Sequence, residues 1–332
     1  MILKRTLSII LFLTVTFTVR TYAQEGVTQL HITEGIEEGI AKMQIELNTS
    51  LLLTAMSVCM IEGTLPDTSG IDISDEAAQT LLSMWQSSSE MICPISNVER
   101  KCLHRMQGGY QVRDIPVSIL AAPEEDREHN LVINYTKSGK IDDIFVAVDN
   151  ARIDQILLNN ASVEDLARRM RILDFVEQFR TSYNIRDLDH IKKVFSNNAL
   201  IITGKVVKEK PNSDQVLKNI GTEKIVYQTQ TKQEYVAKLE GIFANNKYIN
   251  IGFEDIEVMT HPKYSEIYGV TLKQKWNTTN YSDVGYLFLM IDFKDDDNPL
   301  IHVRTWQPEK YNGRELAREE RFHVGSFGKL NR

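Results

Sequence analysis

The residues with the clearest chemical potential lie in one short stretch, PLIHVRTWQP, from Pro299 to Pro308. Side chains alternate along an extended chain, so His302, Arg304 and Trp306 are expected to share one face of a strand. The alternate positions are mostly apolar and are expected to form ordinary core: Ile301, Val303 and Thr305. A face that joins an imidazole, a guanidinium and an indole is typical of a polar pocket wall, a wet surface or a partner-binding face.

Acid–base catalysis is one chemistry that these side chains could perform. An enzyme of this kind needs a base and an acid that converge in a dry cavity, where burial tunes their pKa values. His302 or Asp292 could act as the base, while Tyr183 or Arg304 polarises a carbonyl. No spacing demands this arrangement. Two alternatives stand beside it: an exposed strand face on which Arg304 pairs with an acid, and a ligand pocket without chemistry.

Ligand-contacting side chains are expected on the preceding strands as well. In GVTLKQKW, residues 269–276, two lysines alternate with Gln274 and Trp276, and lysines belong in water. Gln274 and Trp276 are therefore expected to face inward. The next run, VGYLFLMIDF, is largely apolar on both faces, which predicts burial on two sides. Tyr286 from this run and Trp306 are expected to join the lining.

The N-terminal half, residues 24–158, is predicted to be an α+β domain of two helices followed by a small antiparallel sheet. Apolar residues at three- and four-residue steps predict the first helix and its core face: Ile36, Ile40, Met43, Leu47 and Leu51. A second helix should begin at Ser74, whose hydroxyl can cap it. The runs NLVINYT and IDDIFVAV flank the turn KSGK, residues 137–140, and predict a hairpin.

The C-terminal half, residues 159–310, has a different order of predicted elements. Ser162 should cap a long amphipathic helix, which is followed by a short helix, a strand and a further helix behind the capping box Thr231 to Glu234. Four strand-like runs then close the domain, and consecutive antiparallel pairing is expected. Residues 311–332 are interpreted as a tail whose late apolar residues could dock on a domain or on a second subunit.

The motif YNIRDLDHIKKVFSNNA, Tyr183 to Ala199, opens this domain's first strand. Together with the order of elements over about residues 162–308, it resembles the nuclear transport factor 2-like (SnoaL-like) superfamily. The resemblance implies a cone, in which a curved antiparallel sheet wraps on helices around a cavity, with Phe195 at the mouth. The predicted fold class is thus α+β, with two α+β domains.

The resemblance does not select an activity. The superfamily includes isomerases, dehydratases, epoxide hydrolases and non-catalytic binding or assembly domains, and fold alone is an analogy. The acid, tyrosine and arginine patterns of its isomerases and epoxide hydrolases cannot be matched here residue by residue. The two-domain arrangement and the phrase IHVRTWQP also resemble uncharacterised secreted proteins of Bacteroidetes-type bacteria.

The N-terminus and the charge bound the class of protein. Residues 1–23 combine Lys4 and Arg5 with a short apolar run and small residues before Ala23, which predicts a cleavable signal peptide. A secreted or periplasmic location follows, with no transmembrane segment after cleavage. A net charge of −7 gives no electrostatic footprint for nucleic acid, which is not expected as a partner.

Three cysteines are present. In an oxidising compartment Cys93 and Cys102 could form a disulfide between adjacent strands, whereas the alternative is that all three are buried small hydrophobes. Metal and cofactor are not expected, because zinc would need more ligands at closer spacing and the acidic run at 294–299 lacks the spaced ligands of a calcium loop.

The function predicted on these grounds is non-catalytic binding or assembly, with a small apolar ligand as the possible occupant of the cone. A small-molecule isomerase, dehydratase or hydrolase is the alternative. A homodimer is plausible, because a sheet that is apolar on both faces leaves hydrophobic surface to cover.

Overall fold

The computed structural model describes residues 27–88, 91–105, 108–120, 122, 124, 127–148, 163–208, 223–247, 249–279 and 281–327. The chain separates into two compact units, 1–147 and 148–332. The predicted signal peptide, the predicted boundary at 158/159 and the predicted cap Ser162 lie outside the described residues. Each unit is described by itself.

The described residues of the N-terminal unit form six strands and two helices: β1 (Gln29–Glu34), α1 (Ile40–Glu62), α2 (Asp75–Ser88), β2 (Met91–Ile92), β3 (Asn97–His104), β4 (Tyr110–Ile119), β5 (Glu128–Tyr135) and β6 (Ile141–Val146). The sheet order is β1-β3-β4-β5-β6, and β2 pairs with β4. The predicted hairpin is confirmed, with Gly139 at φ 90° in the turn. So is the cap of α2, where the Ser74 hydroxyl accepts a hydrogen bond from the Ala77 amide at 3.0 Å.

The sequence predicted a purely antiparallel sheet, and this prediction was wrong. Strand β1, which was not identified from the sequence, pairs with β3 in parallel. This strand also fixes the orientation of α1. The backbone amides of Thr28 and Leu30 donate to the hydroxyls of Thr54 and Ser50, at 3.1 and 2.9 Å. Those two hydroxyls therefore lie on the side of α1 that faces β1.

The core face of α1 is not the predicted one. Its buried residues include Ile45, Leu52, Leu53 and Met56, each fully buried, whereas the predicted stripe is exposed: Ile40, Met43, Leu47 and Leu51. Both stripes have helical spacing, because α1 is apolar nearly all round, and the contacts of β1 decide between them. By length and composition α1 could also cross a membrane.

The C-terminal unit contains α3 (Val163–Asn184), α4 (Leu188–Val194), β7 (Phe195–Lys208), β8 (Glu223–Gln230), α5 (Lys232–Asn245), β9 (Ile249–His261), β10 (Tyr264–Thr278), β11 (Ser282–Asp292), β12 (Leu300–Pro308), β13 (Lys310–Tyr311) and β14 (Arg314–Glu315). The order of the large sheet is β8-β7-β12-β11-β10-β9. The last four strands pair consecutively and antiparallel, as predicted. The capping box of α5 is also confirmed.

The large sheet is nevertheless mixed, because β12 pairs with β7 in parallel. The chain is thus α+β, with two mixed sheets, each packed with helices. Turn signals between neighbouring runs predicted the hairpins correctly. They could not report the pairing of β7 with a strand about a hundred residues later, since such pairing leaves no local signal.

The inner face of the large sheet packs on α3 and α5. One cluster joins Phe179 and Tyr183 of α3, Phe195 of β7, Leu239 of α5 and Leu289 of β11. In this unit the helices therefore cover one side of the sheet and leave the other to a different part of the chain.

The chain's own tail packs on the outer face of the large sheet. Phe288 and Met290 of β11 contact a small cluster that contains Val324, with Phe322 and Phe327 beside it. The rings of Phe288 and Phe327 stack with centroids 5.6 Å apart. The side chain of Gln307 bonds the tail backbone, accepting from the Phe322 amide at 2.7 Å. Part of the apolar face on which the predicted homodimer was argued is thus covered within the chain.

A β-bulge in β12 changes the predicted alternation. Ile291 pairs with Ile301, but the preceding residue Met290 pairs with Val303, so His302 is the extra residue. Ile301 consequently belongs to the inner cluster and Val303 to the outer one. The prediction that these two residues share a face was therefore wrong. Beyond the bulge, regular alternation resumes.

Candidate ligand-binding pocket

A pocket of about 500 Å³ opens on the inner face of the large sheet, against α5. Its lining comes from five strands and one helix: Thr203, Gln228, Gln230, Tyr235, Lys238, Leu239, Ile242, Asn245, Asn246, Gln274, Trp276, Thr278, Tyr281, Asp283, Arg304 and Trp306. Alternation in β10 and β12 brings Gln274, Trp276, Arg304 and Trp306 to the same side. The capped helix α5 supplies the opposite wall.

Aromatic and aliphatic side chains form much of the pocket wall. Trp276 packs against Tyr183 edge to face, with ring centroids 5.9 Å apart. Trp306 crosses β11 at Gly285, where an added Cβ would lie 2.6 Å from two carbons of the indole and 2.3 Å from the Gln307 carbonyl oxygen. Only a residue without a side chain leaves room for the indole in this position.

A buried cation lies in this pocket. Arg304 is 5% exposed, and its Cζ lies 4.9 Å from the centroid of the Tyr235 ring. Its Nε atom is buried and has no hydrogen-bond partner among the described residues. A cation over an aromatic face is stabilised in part by the ring's negative face, but the ring carries no net charge.

Two tyrosine hydroxyls meet beside this arginine. The Oη atoms of Tyr183 and Tyr235 are 2.6 Å apart, and both side chains are buried. Burial raises the pKa of Tyr183 well above its ordinary value, the neighbouring Tyr235 raises it further, and Arg304 opposes the shift through its charge and a hydrogen bond. The Tyr183 hydroxyl therefore stays protonated at neutral pH, and one of the two hydroxyls donates its single proton to the other.

Two glutamines bring further unsatisfied polar atoms to the same region. Gln274 is 2% exposed, and its Oε1 has no partner among the described residues. The Oε1 atom of Gln230 is in the same situation, while its Nε2 donates to the Thr203 hydroxyl at 3.4 Å. Buried polar groups are nearly always hydrogen-bonded, so atoms left open in a pocket mark positions for a ligand or for water.

The acidic group of the lining is Asp283. Its carboxylate accepts a hydrogen bond from the Tyr281 hydroxyl and another from the Val284 amide at 2.8 Å. Lys238 lies across the pocket on α5. Among the described residues, no group of three or more His, Cys, Asp or Glu side chains is placed to hold a metal ion.

The predicted catalytic candidates fall in two places. Arg304 lines the pocket, and Tyr183 lies outside the lining with its hydroxyl 2.6 Å from that of the lining residue Tyr235. Asp292 and His302 do not line the pocket. The His302 Nε2 lies 3.7 Å from an Asp292 carboxylate oxygen, and both side chains are largely buried. The bulge at His302 separates this pair from Arg304, so the arrangement considered from the sequence, a base together with a carbonyl-polarising group, is not assembled.

The predicted ligand-contacting residues also divide. Gln274, Trp276 and Trp306 line the pocket. Phe195 does not, because it is buried in the core, edge to face with Phe179 at 5.9 Å, rather than at a cavity mouth. Tyr286 points to the outer face, where its hydroxyl donates to Glu315, so its predicted place in the lining was wrong.

The predicted disulfide is absent from the structure. Cys93 and Cys102 are both free and buried, as is Cys59. The Cys93 thiol donates to the Ile95 carbonyl at 3.3 Å, and burial raises the pKa of both Cys93 and Cys102. The alternative, that the cysteines act as small buried hydrophobes, describes these positions.

Several pocket residues were not singled out from the sequence. Tyr235, Leu239 and Ile242 fall within the helix predicted behind Thr231 to Glu234, and Gln228 and Gln230 come just before it. The alternation of the two glutamines along QTQ at the end of β8 was an available signal, since alternate polar residues next to an amphipathic helix can line a cavity. Tyr281 and Asp283 lie next to a turn, where sequence pattern is weakest.

Comparisons with solved structures give matches of low sequence identity. A nuclear transport factor 2-like protein from Cytophaga hutchinsonii covers 42% of this chain and 98% of its own, with 12% identity and a TM-score of 0.31. Bd1075 from Bdellovibrio bacteriovorus covers 62% of this chain and 80% of its own, with 11% identity and a TM-score of 0.33. A nuclear transport factor 2-like protein of unknown function from Shewanella oneidensis covers 42% and 98%, with 12% identity and a TM-score of 0.30.

Structural matches to nuclear transport factor 2-like proteins thus cover about half of the chain, as the resemblance predicted. Neighbours provisionally named as a scytalone dehydratase and a ketosteroid isomerase also match. No family model and no curated protein matches the sequence. At these identities and TM-scores the likeness says nothing of activity.

Proposed function

We propose that the C-terminal unit binds a small, largely apolar molecule in the pocket beneath α5. The observation that carries this proposal is a concave space of about 500 Å³ walled by Trp276, Trp306, Leu239 and Ile242, with a few polar groups among them. Ligand sites in proteins have this volume and this composition. Helix α5 and Gly285, which leaves room for the Trp306 indole, fix the pocket walls in the absence of a ligand.

Binding without catalysis is favoured by the distribution of titratable groups. The base candidates Asp292 and His302 contact each other away from the pocket. Asp283, the carboxylate among the described lining residues, already accepts two hydrogen bonds. A general base must reach the proton that it removes, and the Asp292–His302 pair lies outside the pocket that Arg304 lines.

Tryptophan fluorescence provides a direct test, because the chain has three tryptophans and two of them line the pocket. The neutral probe N-phenyl-1-naphthylamine should bind the purified chain and quench this emission by energy transfer. The quenching should be lost in the Trp276→Phe, Trp306→Phe double variant. It should persist in the matched control Trp85→Phe, whose tryptophan belongs to the N-terminal unit. Saturable quenching that depends on Trp85 instead would contradict the proposal.

An enzyme remains the second candidate because of one observation. The hydroxyl of Tyr235, bonded to that of Tyr183 at 2.6 Å and beside Arg304, could donate to a developing oxyanion. Asp283 would then have to be the base. Exchange of the α-protons of 2-tetralone in D2O, followed by proton NMR, should be accelerated by the wild-type chain and not by Asp283→Asn if this candidate holds.

The place of action belongs to the same proposal. The basic and apolar pattern of residues 1–23 supports export and cleavage, which would put the pocket outside the cytoplasm. Expression of the full chain in a bacterial host with fractionation, followed by N-terminal sequencing, tests this. A mature N-terminus at Gln24 in the periplasmic or secreted fraction is the expected result. An intact Met1 in the cytoplasmic fraction would oppose it.

A further inference from the structure

Arg304 differs from three other cations described in the C-terminal unit. Arg314, Arg318 and Lys273 each lie within ion-pair distance of a carboxylate, namely Glu320, Glu257 and Glu309. These three pairs are more exposed than Arg304, so they need a counter-charge less. Arg304 is therefore the most buried of these four cations, and among the described residues it alone of the four has no acidic contact.

A buried charge without a counter-charge is unfavourable in a folded protein. Buried charges are normally paired, because removal from water costs more free energy than neutral contacts return. The contacts of Arg304 are the ring of Tyr235 and the hydroxyl of Tyr183, both of which are neutral. Its Nε has no acceptor among the described residues. An anionic acceptor that reaches the guanidinium from the pocket would supply the missing counter-charge.

We infer that the molecule bound in the pocket is a monocarboxylic acid with an apolar body, whose carboxylate pairs with Arg304. This inference rests on the proposed binding function. The guanidinium fork matches the two oxygens of a carboxylate, and the Tyr183 and Tyr235 hydroxyls lie beside it. The apolar body then contacts Trp276 and Trp306, which line the same pocket.

The charges around the pocket favour a single negative charge. Arg304 on β12 and Lys238 on α5 are the cations among the described lining residues, and Asp283 on β11 is the anion. A phosphate dianion would need more positive charge than this balance offers. A neutral carbonyl would leave Arg304 without a counter-charge. A carboxylate neutralises Arg304 and leaves Lys238 and Asp283 to balance each other.

Matched probes of one shape separate these possibilities. Isothermal titration of the purified chain at pH 7 would compare 1-naphthaleneacetic acid, 1-naphthaleneacetamide and 1-naphthyl phosphate. The acid should bind about tenfold or more tightly than the amide, because hydrogen bonds to charged groups are the stronger ones. Equal affinity of acid and amide, or tighter binding of the phosphate, would overturn the inference while leaving the binding function standing. Failure of all three probes and of N-phenyl-1-naphthylamine would remove the proposed function itself.

The variant Arg304→Met tests the residue. Affinity for the acid should fall to that of the amide, and affinity for the amide should fall much less, since the amide forms no charge pair with Arg304. Arg304→Lys should retain part of the preference for the acid. Circular dichroism melting of the unliganded Arg304→Met chain should give a Tm equal to or above that of the wild type, because an uncompensated charge has been removed. A lower Tm with an unchanged preference for the acid would assign Arg304 a purely structural role.

A measurement on the wild type covers the case in which the variant does not fold. Raising the salt concentration should weaken binding of the acid and leave binding of the amide unchanged, because only the former involves a charge pair. The same salt dependence for both probes would overturn the inference.

Discussion

The guanidinium of Arg304 lies 4.9 Å from the centre of the Tyr235 ring, and the hydroxyl of that ring lies 2.6 Å from the hydroxyl of Tyr183. Three groups from β12, α5 and α3 thus form one buried polar cluster. The cluster forms only when β12, α5 and α3 are all folded and packed together. The polar end of the pocket therefore reports on the integrity of the whole C-terminal unit.

Removal of one tyrosine hydroxyl should destabilise this unit. Tyr183→Phe leaves the Tyr235 hydroxyl buried without its partner and should cost about 1–3 kcal/mol of the free energy of unfolding. Tyr235→Phe should cost less, because Tyr183 keeps its interaction with Arg304. Urea denaturation of both single variants and the double variant measures the coupling. Strictly additive losses would show that the two hydroxyls do not interact.

The two faces of α1 can be distinguished by adjacent substitutions. Leu52 is fully buried and Leu51 is 40% exposed. Leu52→Ala should therefore cost about 2–5 kcal/mol, as expected for a cavity in a core. Leu51→Ala should stay within about 0.5–1 kcal/mol, and it serves as the control of identical chemistry. Thermal denaturation of the two variants decides the matter, and the reverse order of losses would restore the face predicted from the sequence.

Gly285 should be indispensable for the wall of the pocket. Gly285→Ala places a Cβ 2.3 Å from the Gln307 carbonyl oxygen and 2.6 Å from the indole of Trp306, so both β12 and the ring must shift and probe binding should weaken. Gly252→Ala, in β9 of the same sheet, is the control, because its nearest contact would be an ordinary 3.6 Å to Lys275. Tryptophan emission and titration with N-phenyl-1-naphthylamine report both effects. Unchanged emission in Gly285→Ala would mean that Trp306 does not lie against this glycine.

The cysteines should behave as unreactive thiols. Burial raises the pKa of Cys102 to about 11, so very little thiolate is present at pH 8 and alkylation of the native chain should be slow. After unfolding without reductant, iodoacetamide should add to all three cysteines. Intact mass measurement counts the adducts. A species with two fewer adducts would show that the disulfide predicted from the sequence does form.

The tail should loosen in acid. Hydrogen bonds from Arg314, then Tyr311 and the Ala317 amide, lower the pKa of Glu320 from 4.5 to about 2. A carboxylate with a lowered pKa stabilises the fold above its unfolded pKa, and that contribution is lost as pH falls from about 4.5 through 2. Hydrogen exchange of residues 314–327, corrected for intrinsic rates, should show protection that decays in this window. In Glu320→Gln the protection should be weaker at pH 6 and nearly independent of pH.

Local signals predicted much of the architecture. The capping box at Thr231 and the cap at Ser74 were correct, because a helix start is encoded within a few residues. The hairpin at Gly139 was correct for the same reason. The predictions that failed concerned features that depend on contacts between residues far apart in the sequence. β1 pairs in parallel with β3, and α1 offers two apolar stripes between which only the neighbouring strand decides.

The site was predictable in part. The side of Gln274 and Trp276 followed from the lysines that alternate with them, and these residues do line the pocket. His302 was grouped with Arg304 because strict alternation was assumed, and a bulge has no signature in PLIHVRTWQP. Tyr286 was predicted to line the cavity, and this prediction failed. Its strand is apolar on both faces, so burial alone could not show which face lines the cavity. The tail residues that contact it lie far along the chain.

The parallel pairing of β7 with β12 has a bearing on how the protein is made. Phe195 lies opposite Ile301, so one interior seam of the large sheet joins the earliest described strand of this unit to its last long one. As the polypeptide emerges from a ribosome or a translocation channel, the edge of β7 that pairs with β12 stays unpaired until β12 has also emerged. Until β12 is available, the unpaired edge of β7 can associate with other chains. Folding of this unit is therefore expected to benefit from a chaperone at this stage.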